Sequence, residues 1–141
     1  MKIIGKGFIA NNLKKAKLNF KDNYVIYAAG ISNSKTATKK ELDREVNCFK
    51  KFQSKLNQSK IIIYISSFSV LDKTLKNDKY VKNKLIIENS LKRSSFKYLI
   101  IRLTQVVGYN KNPFTLTNFF FNNIKKGINF TLWSNTRRNL I

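Results

Sequence analysis

The chain has 141 residues, of which 43% are hydrophobic and 13% aromatic, and its formal net charge is +21. This length and composition predict one globular domain rather than a disordered chain, and no apolar run approaches membrane-spanning length. The single cysteine, Cys48, excludes an internal disulfide framework, and without histidine the usual metal ligand and general base are missing.

The positive charge is the pattern expected of a nucleic-acid-binding protein, but its distribution favours a bias in overall composition over a binding surface. Lysines are scattered along the whole chain, and only five residues are arginine, which base readout and phosphate clamps prefer. A nucleic-acid partner is therefore disfavoured, although non-specific adhesion to polyanions is expected. The first ten residues show no signal-peptide cleavage site, so a reduced, cytoplasmic setting without a membrane is predicted.

The amino-terminal segment MKIIGKGFIANNL predicts a short strand, a glycine turn and an amphipathic helix that starts near Phe8. Gly5, Gly7 and Ala10 form a G-x-G-x-x-A pattern. The first glycine permits a tight turn, the second lets a diphosphate approach the backbone, and the small third residue lets the helix pack on the strand. An ordinary strand-to-helix turn remains the alternative.

The next strand ends in Ala28, Ala29 and Gly30, whose small side chains suit the close approach of a flat ligand or simply a tight turn. Asp22, which directly precedes this strand, is interpreted as a strand-entry residue rather than as a ribose ligand.

Residues 38–56 give the clearest helix prediction. Thr38 and Glu41 match a capping box, and an apolar stripe follows with helical spacing: Leu42, Val46, Phe49, Phe52 and Leu56. Asn47 adjoins this stripe and, taken alone, reads as a solvated helix residue.

The central segment combines an apolar strand over residues 61–65, two serines at its carboxyl end, and a helix that carries Tyr80 and Lys84. Four residues apart on a helix, Tyr80 and Lys84 share a face. In so lysine-rich a chain about one Tyr-x-x-x-Lys arises by chance, so the surrounding strand, terminal serine and helix are the stronger signal. A surface pair on a solvated helix is the alternative.

The rest of the chain predicts a strand over residues 98–103, a helix that begins at Asn112-Pro113 and stops at Gly127, and a short strand over residues 129–133. The inward side chains of that helix are predicted to be Leu116, Phe119, Phe120 and Ile124. Alternating strands and helices predict an α/β fold with a mainly parallel sheet that is covered on both faces.

In this order, GKGFIANNL, VIYAAG, EVN, YISS, Tyr80-x-x-x-Lys84, IIRLTQVVG and RRNLI resemble the extended short-chain dehydrogenases/reductases, a family that includes NAD-dependent nucleotide-sugar epimerases and dehydratases. The resemblance spans essentially the whole chain. It implies a single Rossmann-type domain over residues 1–141, NAD or NADP as cofactor, a nucleotide-linked or related sugar as substrate, and a homodimer as the form to test.

The resemblance also implies roles by position. Tyr80, Lys84, Ser67 and Asn47 match the catalytic residues, Lys84 also matches a ligand of the nicotinamide ribose, and Ser67, Gln105 and Arg138 match substrate contacts. The matched cofactor-binding residues are Gly5, Gly7, Phe8, Ile9, Ala10, Ala28, Ala29 and Gly30. No metal is implied. In this chemistry a tyrosine exchanges a proton with a sugar hydroxyl while hydride moves to or from the cofactor, and the nearby ammonium favours the phenolate.

The chain also departs from the family pattern. Its glycine loop is one residue tighter, almost nothing separates the first helix from VIYAAG, and the Ser67–Tyr80 segment is short. Gln105 replaces a common asparagine, and RNLI ends the sequence where the family continues into a substrate-binding lobe. The adenosine half is therefore predicted to be reduced. Three functions stay open: an epimerase, dehydratase or reductase; a non-catalytic binding module; and, least favoured, a basic nucleic-acid-binding protein.

Overall fold

The structure, a computed structural model, describes residues 1–16, 18–19, 21–31, 37–108, 112–113, 115–132 and 134. The chain divides into two compact units, Met1–Arg102 and Leu103–Ile141, and each is described by itself. The organisation of residues 1–141 as one domain stays a prediction.

Strands and helices alternate along the described chain, as the sequence predicts. In order they are β1 (Lys2–Ile4), α1 (Phe8–Lys15), β2 (Tyr24–Tyr27), α2 (Lys39–Ser54), β3 (Ile61–Ser67), two 3₁₀ turns (Phe68–Leu71 and Lys73–Leu75), α3 (Lys79–Lys92), β4 (Lys97–Leu103) and α4 (Leu116–Lys126).

The four strands form one parallel sheet in the order β1-β2-β3-β4. Lys2 is in register with Val25, and Tyr27 is in register with Tyr64. Because neighbouring strands are parallel, the carboxyl ends of β1, β2 and β3 meet at one edge of the sheet. The predicted α/β fold with a parallel sheet is confirmed.

Helix α2 begins where the capping box predicts. The Thr38 hydroxyl accepts a hydrogen bond from the Glu41 amide (3.3 Å), and the Glu41 carboxylate accepts one from the Thr38 amide (2.8 Å). Together these bonds satisfy two amide donors that a helix amino terminus would otherwise leave without a partner. The predicted apolar stripe faces the interior, since Leu42 and Phe49 are buried.

The core lies between α2, α3 and one face of the sheet. Its buried members are Tyr27, Phe49, Ile62, Tyr64, Ile87, Leu91 and Phe96. The rings of Tyr27 and Phe49 meet edge to face, with their centroids 5.0 Å apart. Ile26 and Ile63 point to the opposite face of the sheet and are also buried, so β2 and β3 are buried on both faces, as in other parallel sheets.

The second unit contains α4, which ends at Gly127 with the left-handed φ of +63° that favours glycine. The rings of Phe119, Phe120 and Phe130 pack together, with centroids 5.4–5.8 Å apart. The prediction that Phe119 and Ile124 point inward is wrong, because their side chains are 40% and 68% exposed. Residues 129–132 form no strand, and Trp133, the last residue of that predicted strand, lies outside the described residues.

Two core tyrosines make the stability of the fold sensitive to pH in the alkaline range. Burial raises the pKa of Tyr27 to about 12, and nearby Cys48 and Glu45 add to the effect. Burial, together with the charges of Glu45 and other neighbours, also raises the pKa of Tyr64. A tyrosine in the unfolded chain ionises near pH 10. The fold therefore retains the full contribution of these phenols below about pH 10 and loses it as the pH rises further.

We predict that Tyr64→Phe loses less unfolding free energy between about pH 9 and pH 12 than the unsubstituted chain does. Urea unfolding followed by circular dichroism at a series of pH values measures this difference. Tyr98→Phe is the matched control, since Tyr98 is 41% exposed. Identical alkaline slopes for the two variants would contradict the prediction.

Candidate functional site

The turn between β1 and α1 packs closely against the end of β2. Gly5 has a φ of +136°, and a Cβ there would collide with the Ala28 carbonyl and lie 2.9 Å from the Ala10 Cβ. The Ala28 amide donates a hydrogen bond of 2.8 Å to the Ile4 carbonyl. Gly5 and the fully buried Ala10 therefore have a packing reason to be small. Gly7 has none, because a Cβ there would meet nothing within 4 Å.

Gly7 is the residue that precedes α1, with an extended backbone and open space around it. Phe8 and Ile9, which follow it, are half-buried. Two hydrogen bonds from α1 hold the turn in place: the Lys14 Nζ donates to the Gly5 carbonyl (2.8 Å), and the Asn11 Nδ2 donates to the Lys6 carbonyl (3.1 Å). The turn is thus an ordered backbone segment with room above its second glycine.

Helix α3 brings Tyr80 and Lys84 to the same end of the sheet. Asp78 caps the amino terminus of the helix, because its carboxylate accepts a hydrogen bond from the Val81 amide (3.0 Å). The Lys84 ammonium lies 5.1 Å from the centroid of the Tyr80 ring. It also lies against the bare Cα of Gly30, where any Cβ would collide with it. The structure therefore brings together three of the predicted site residues, Tyr80, Lys84 and Gly30.

Lys84 is 2% exposed, and its buried charge is matched by Glu45 on α2, which is 3% exposed. Its Nζ lies 2.5 Å from the Glu45 Oε1. The other carboxylate oxygen, Oε2, accepts hydrogen bonds from the Ile31 amide (3.1 Å) and the Asn83 Nδ2 (3.3 Å). Burial of either charge alone would be strongly unfavourable, and these bonds make the buried pair tolerable.

Asn47, the residue of α2 that the resemblance places in the site, is exposed and does not face Lys84. Glu45, two residues earlier, occupies that place. The sequence signal for Glu45 is its position in the apolar stripe: Leu42, Glu45 and Phe49 follow helical spacing and are all buried. A carboxylate within an apolar stripe requires a partner, so this position in the sequence indicates a buried contact for Glu45. The catalytic role of Asn47 stays a prediction without support from the geometry.

A second buried carboxylate, Glu88, ties α3 to β3 and β4. Its Oε1 accepts hydrogen bonds from the Ser66 hydroxyl (2.7 Å) and the Arg102 Nε (3.0 Å), and its Oε2 accepts one from an Arg102 terminal nitrogen (2.6 Å). Burial raises the pKa of Glu88, but the hydrogen bonds and charge of its partners outweigh burial and hold that pKa below its usual range.

Ser67 lies at the carboxyl end of β3, as predicted, and its hydroxyl caps the turn that follows. Its Oγ accepts a hydrogen bond from the Ser69 amide (3.2 Å) and donates one to the Ser69 hydroxyl (3.1 Å). The 3₁₀ turn Phe68–Leu71 packs against α3. Ser67 is therefore held at the site end of the sheet, with its hydroxyl engaged in a local contact.

The hydroxyl of Tyr64 is buried and makes no hydrogen bond to any described residue. Besides burial, the charges of Glu45, Tyr80 and Glu88 raise the pKa of Tyr64, so its ring lies within electrostatic range of both buried carboxylates. Unpartnered buried hydroxyls are uncommon because each has a desolvation cost without compensation. Among the described residues, the Tyr64 hydroxyl, the Asn23 Oδ1 and the Thr104 Oγ1 are buried without a hydrogen-bond partner.

The remaining predicted residues have separate outcomes. Ala28 is half-buried and Ala29 is exposed at the end of β2. Gln105 belongs to the second unit, and Arg138 lies outside the described residues. Within the described ranges no group of three or more acidic or cysteine side chains is arranged to hold a metal ion. The same ranges contain no helix that is both long and apolar enough to cross a membrane.

A solved structure of a thiolation-reductase di-domain from an archaeal non-ribosomal peptide synthetase is similar to this chain, with a TM-score of 0.52 and 23% sequence identity. The match covers 82% of this chain and 39% of the di-domain chain, so this chain spans well under half of that protein's length. No family model matches the chain, and neither does any curated protein. At this identity the likeness shows the fold, which is Rossmann-like α/β.

We predict that Glu45→Gln and Lys84→Met each lower the unfolding free energy by about 3–5 kcal/mol, because each leaves one charge buried without its partner. The double variant should lose much less than the sum of the two single losses. Urea unfolding of the four proteins measures the coupling. Asp43→Asn, an exposed carboxylate on the same helix, should change the free energy by less than about 0.5 kcal/mol. Additive losses would contradict a coupled pair.

For Glu88, whose pKa is lowered, we predict a stabilising contribution that is present above about pH 4.3 and is lost as the pH falls further. The difference in unfolding free energy between the unsubstituted chain and Glu88→Gln should therefore shrink between about pH 5 and pH 3. Acid titrations of urea unfolding test this, with Asp43→Asn again as control. A difference that is constant with pH would show that Glu88 does not act through its ionised form.

Proposed function

We propose that this chain is an NAD(P)-binding oxidoreductase domain that transfers hydride and protons on a nucleotide-linked or related sugar. The observation that carries the proposal is the buried Lys84 ammonium, which lies beside the Tyr80 ring and the bare Cα of Gly30 at the carboxyl end of the sheet. In open α/β sheets this is the edge where ligands bind.

The residues present fit a nicotinamide cofactor. Gly7 leaves open space at the amino terminus of α1, where backbone amides favour a phosphate. Lys84 donates one of the three hydrogens of its ammonium to Glu45, and two remain for the hydroxyls of a ribose. NAD(P)H, when bound, supplies the hydride.

In the proposed reaction, Tyr80 exchanges the proton of the substrate oxygen. During reduction it donates a proton to the carbonyl oxygen, and during oxidation it accepts the proton of a hydroxyl. Ser67 would orient that oxygen, giving up its contact with the Ser69 hydroxyl to do so.

The reaction type within this class follows from two sources. The sugar substrate and the epimerase or dehydratase chemistry come from the sequence resemblance. The similar solved structure is a thiolation-reductase di-domain, so reduction of a ketone or aldehyde is the first activity to assay.

A non-catalytic binding module is the second candidate function. Two observations favour it: the Lys84 ammonium is already neutralised by Glu45, and the Ser67 hydroxyl is already engaged in a turn. A module of this kind would still bind a nucleotide at the sheet edge but would not turn over.

We predict that NADH or NADPH binds to the purified chain and changes the nicotinamide fluorescence, and that Tyr80→Phe keeps this binding. Turnover with keto-sugar or aldehyde substrates should fall by about 10²–10⁴-fold in Tyr80→Phe, the usual loss for a removed general acid or base. Tyr98→Phe is the control and should leave turnover unchanged.

The outcomes separate the two candidate functions. Binding without turnover in the unsubstituted chain favours the non-catalytic module. If neither cofactor binds at millimolar concentration, both the oxidoreductase proposal and its use of Lys84 are wrong. Undiminished turnover in Tyr80→Phe would show that another group transfers the proton.

A further inference from the structure

The strands of the sheet lie side by side in the same order as in the sequence. The order is β1-β2-β3-β4, and the described part of β1 pairs with β2 alone. A dinucleotide-binding sheet has two halves, one for each mononucleotide, which meet where the strand order reverses, and the ligand lies across that point. In the described residues of this chain the strand order does not reverse, and β1, which carries the glycine turn, is an edge strand.

The cause is the short connection between α1 and β2. Only residues 16–23 join these elements. A further parallel strand with its crossover helix needs at least about 10–12 residues for the crossover alone. The strands that would hold an adenosine cannot be inserted at this point, whatever the full extent of the chain.

The acidic residue nearest the expected ribose-binding position is also placed elsewhere. Asp22 lies two residues before the start of β2, so it is at the amino end of the strand, opposite the glycine turn. Its carboxylate is 2.8 Å from the amino-terminal ammonium of Met1, and its side chain is otherwise fully exposed. Asp22 therefore serves the strand entry and cannot bind a ribose at the site edge.

The described groups suited to a ligand lie at the carboxyl ends of β1, β2 and β3, at the end of the sheet opposite Asp22. They are the open space at Gly7, the bare Cα of Gly30, the Lys84 ammonium and the Tyr80 ring. A phosphate at Gly7 and a ribose at Lys84 would place the attached base beside Tyr80.

We propose that this site binds a nicotinamide mononucleotide unit and that the adenosine half of a dinucleotide adds no affinity. The inference rests on the proposed function, because it keeps the same site and narrows its ligand. An adenosine attached to the phosphate would extend past β1, beyond which the described residues of the first unit supply no further strand. It would gain neither the apolar burial nor the hydrogen bonds that increase affinity.

The test compares dissociation constants of the full chain for reduced nicotinamide mononucleotide, NADH and NADPH, by nicotinamide fluorescence. AMP serves as competitor. Because the chain carries a net charge of +21, ligands with more phosphates gain non-specific attraction, so the measurements are made at about 0.15 M salt and repeated at higher salt. A variant with both Glu45→Gln and Lys84→Met, which removes both charges of the buried pair, tests whether the ligand binds at Lys84.

The expected result is that the mononucleotide and NADH bind within about threefold of each other, that AMP does not displace either, and that the double variant loses both. Binding of NADH that is about tenfold tighter or more at both salt concentrations, or displacement by AMP, would overturn the inference and leave the proposed function standing. If no nicotinamide ligand binds, the proposed function itself fails, and this inference fails with it.

Discussion

The buried ion pair between Glu45 and Lys84 is the interaction on which the candidate site depends. It places an ammonium against the Cα of Gly30 and beside the Tyr80 ring, and it joins α2 to α3 under the end of β2. A buried ammonium without a partner carboxylate would strongly destabilise the fold. Within the described residues, Glu45 accepts a hydrogen bond from the Lys84 ammonium, which has three hydrogens to donate.

Helix α3 carries a second polar anchor one turn further along, at Glu88. Lys84 connects the helix to α2, and Glu88 connects it through Ser66 and Arg102 to β3 and β4. These contacts interrupt the apolar stripe of α3, in which Ile87 and Leu91 are fully buried. A helix fixed by directional polar contacts at two successive turns has little freedom to rotate about its axis. That rigidity keeps the Tyr80 ring and the Lys84 ammonium next to each other.

Local sequence signals predicted the elements well and the long-range partners poorly. The capping box at Thr38 and the glycine that ends α4 depend on nearby residues only, so the sequence predicts them. The partner of Lys84 is 39 residues away, and helical spacing alone does not reveal which helix residue reaches it. For α4, an amphipathic pattern identifies an apolar face but does not say that this chain covers it, as exposed Ile124 illustrates.

The acidic residues are few, and most of them make specific contacts. Lysine and arginine total 28, against seven acidic residues. Every acidic side chain except Asp43 has a defined partner: Asp22 contacts the amino terminus, Glu41, Asp72 and Asp78 cap helices or turns, and Glu45 and Glu88 hold the two buried clusters. In a chain with this excess of positive charge, a carboxylate is surrounded by cations wherever it lies, so proximity to a lysine carries little information. Burial carries more. Glu45 and Glu88 are the two acidic side chains withdrawn from water, and the candidate site is built around one of them.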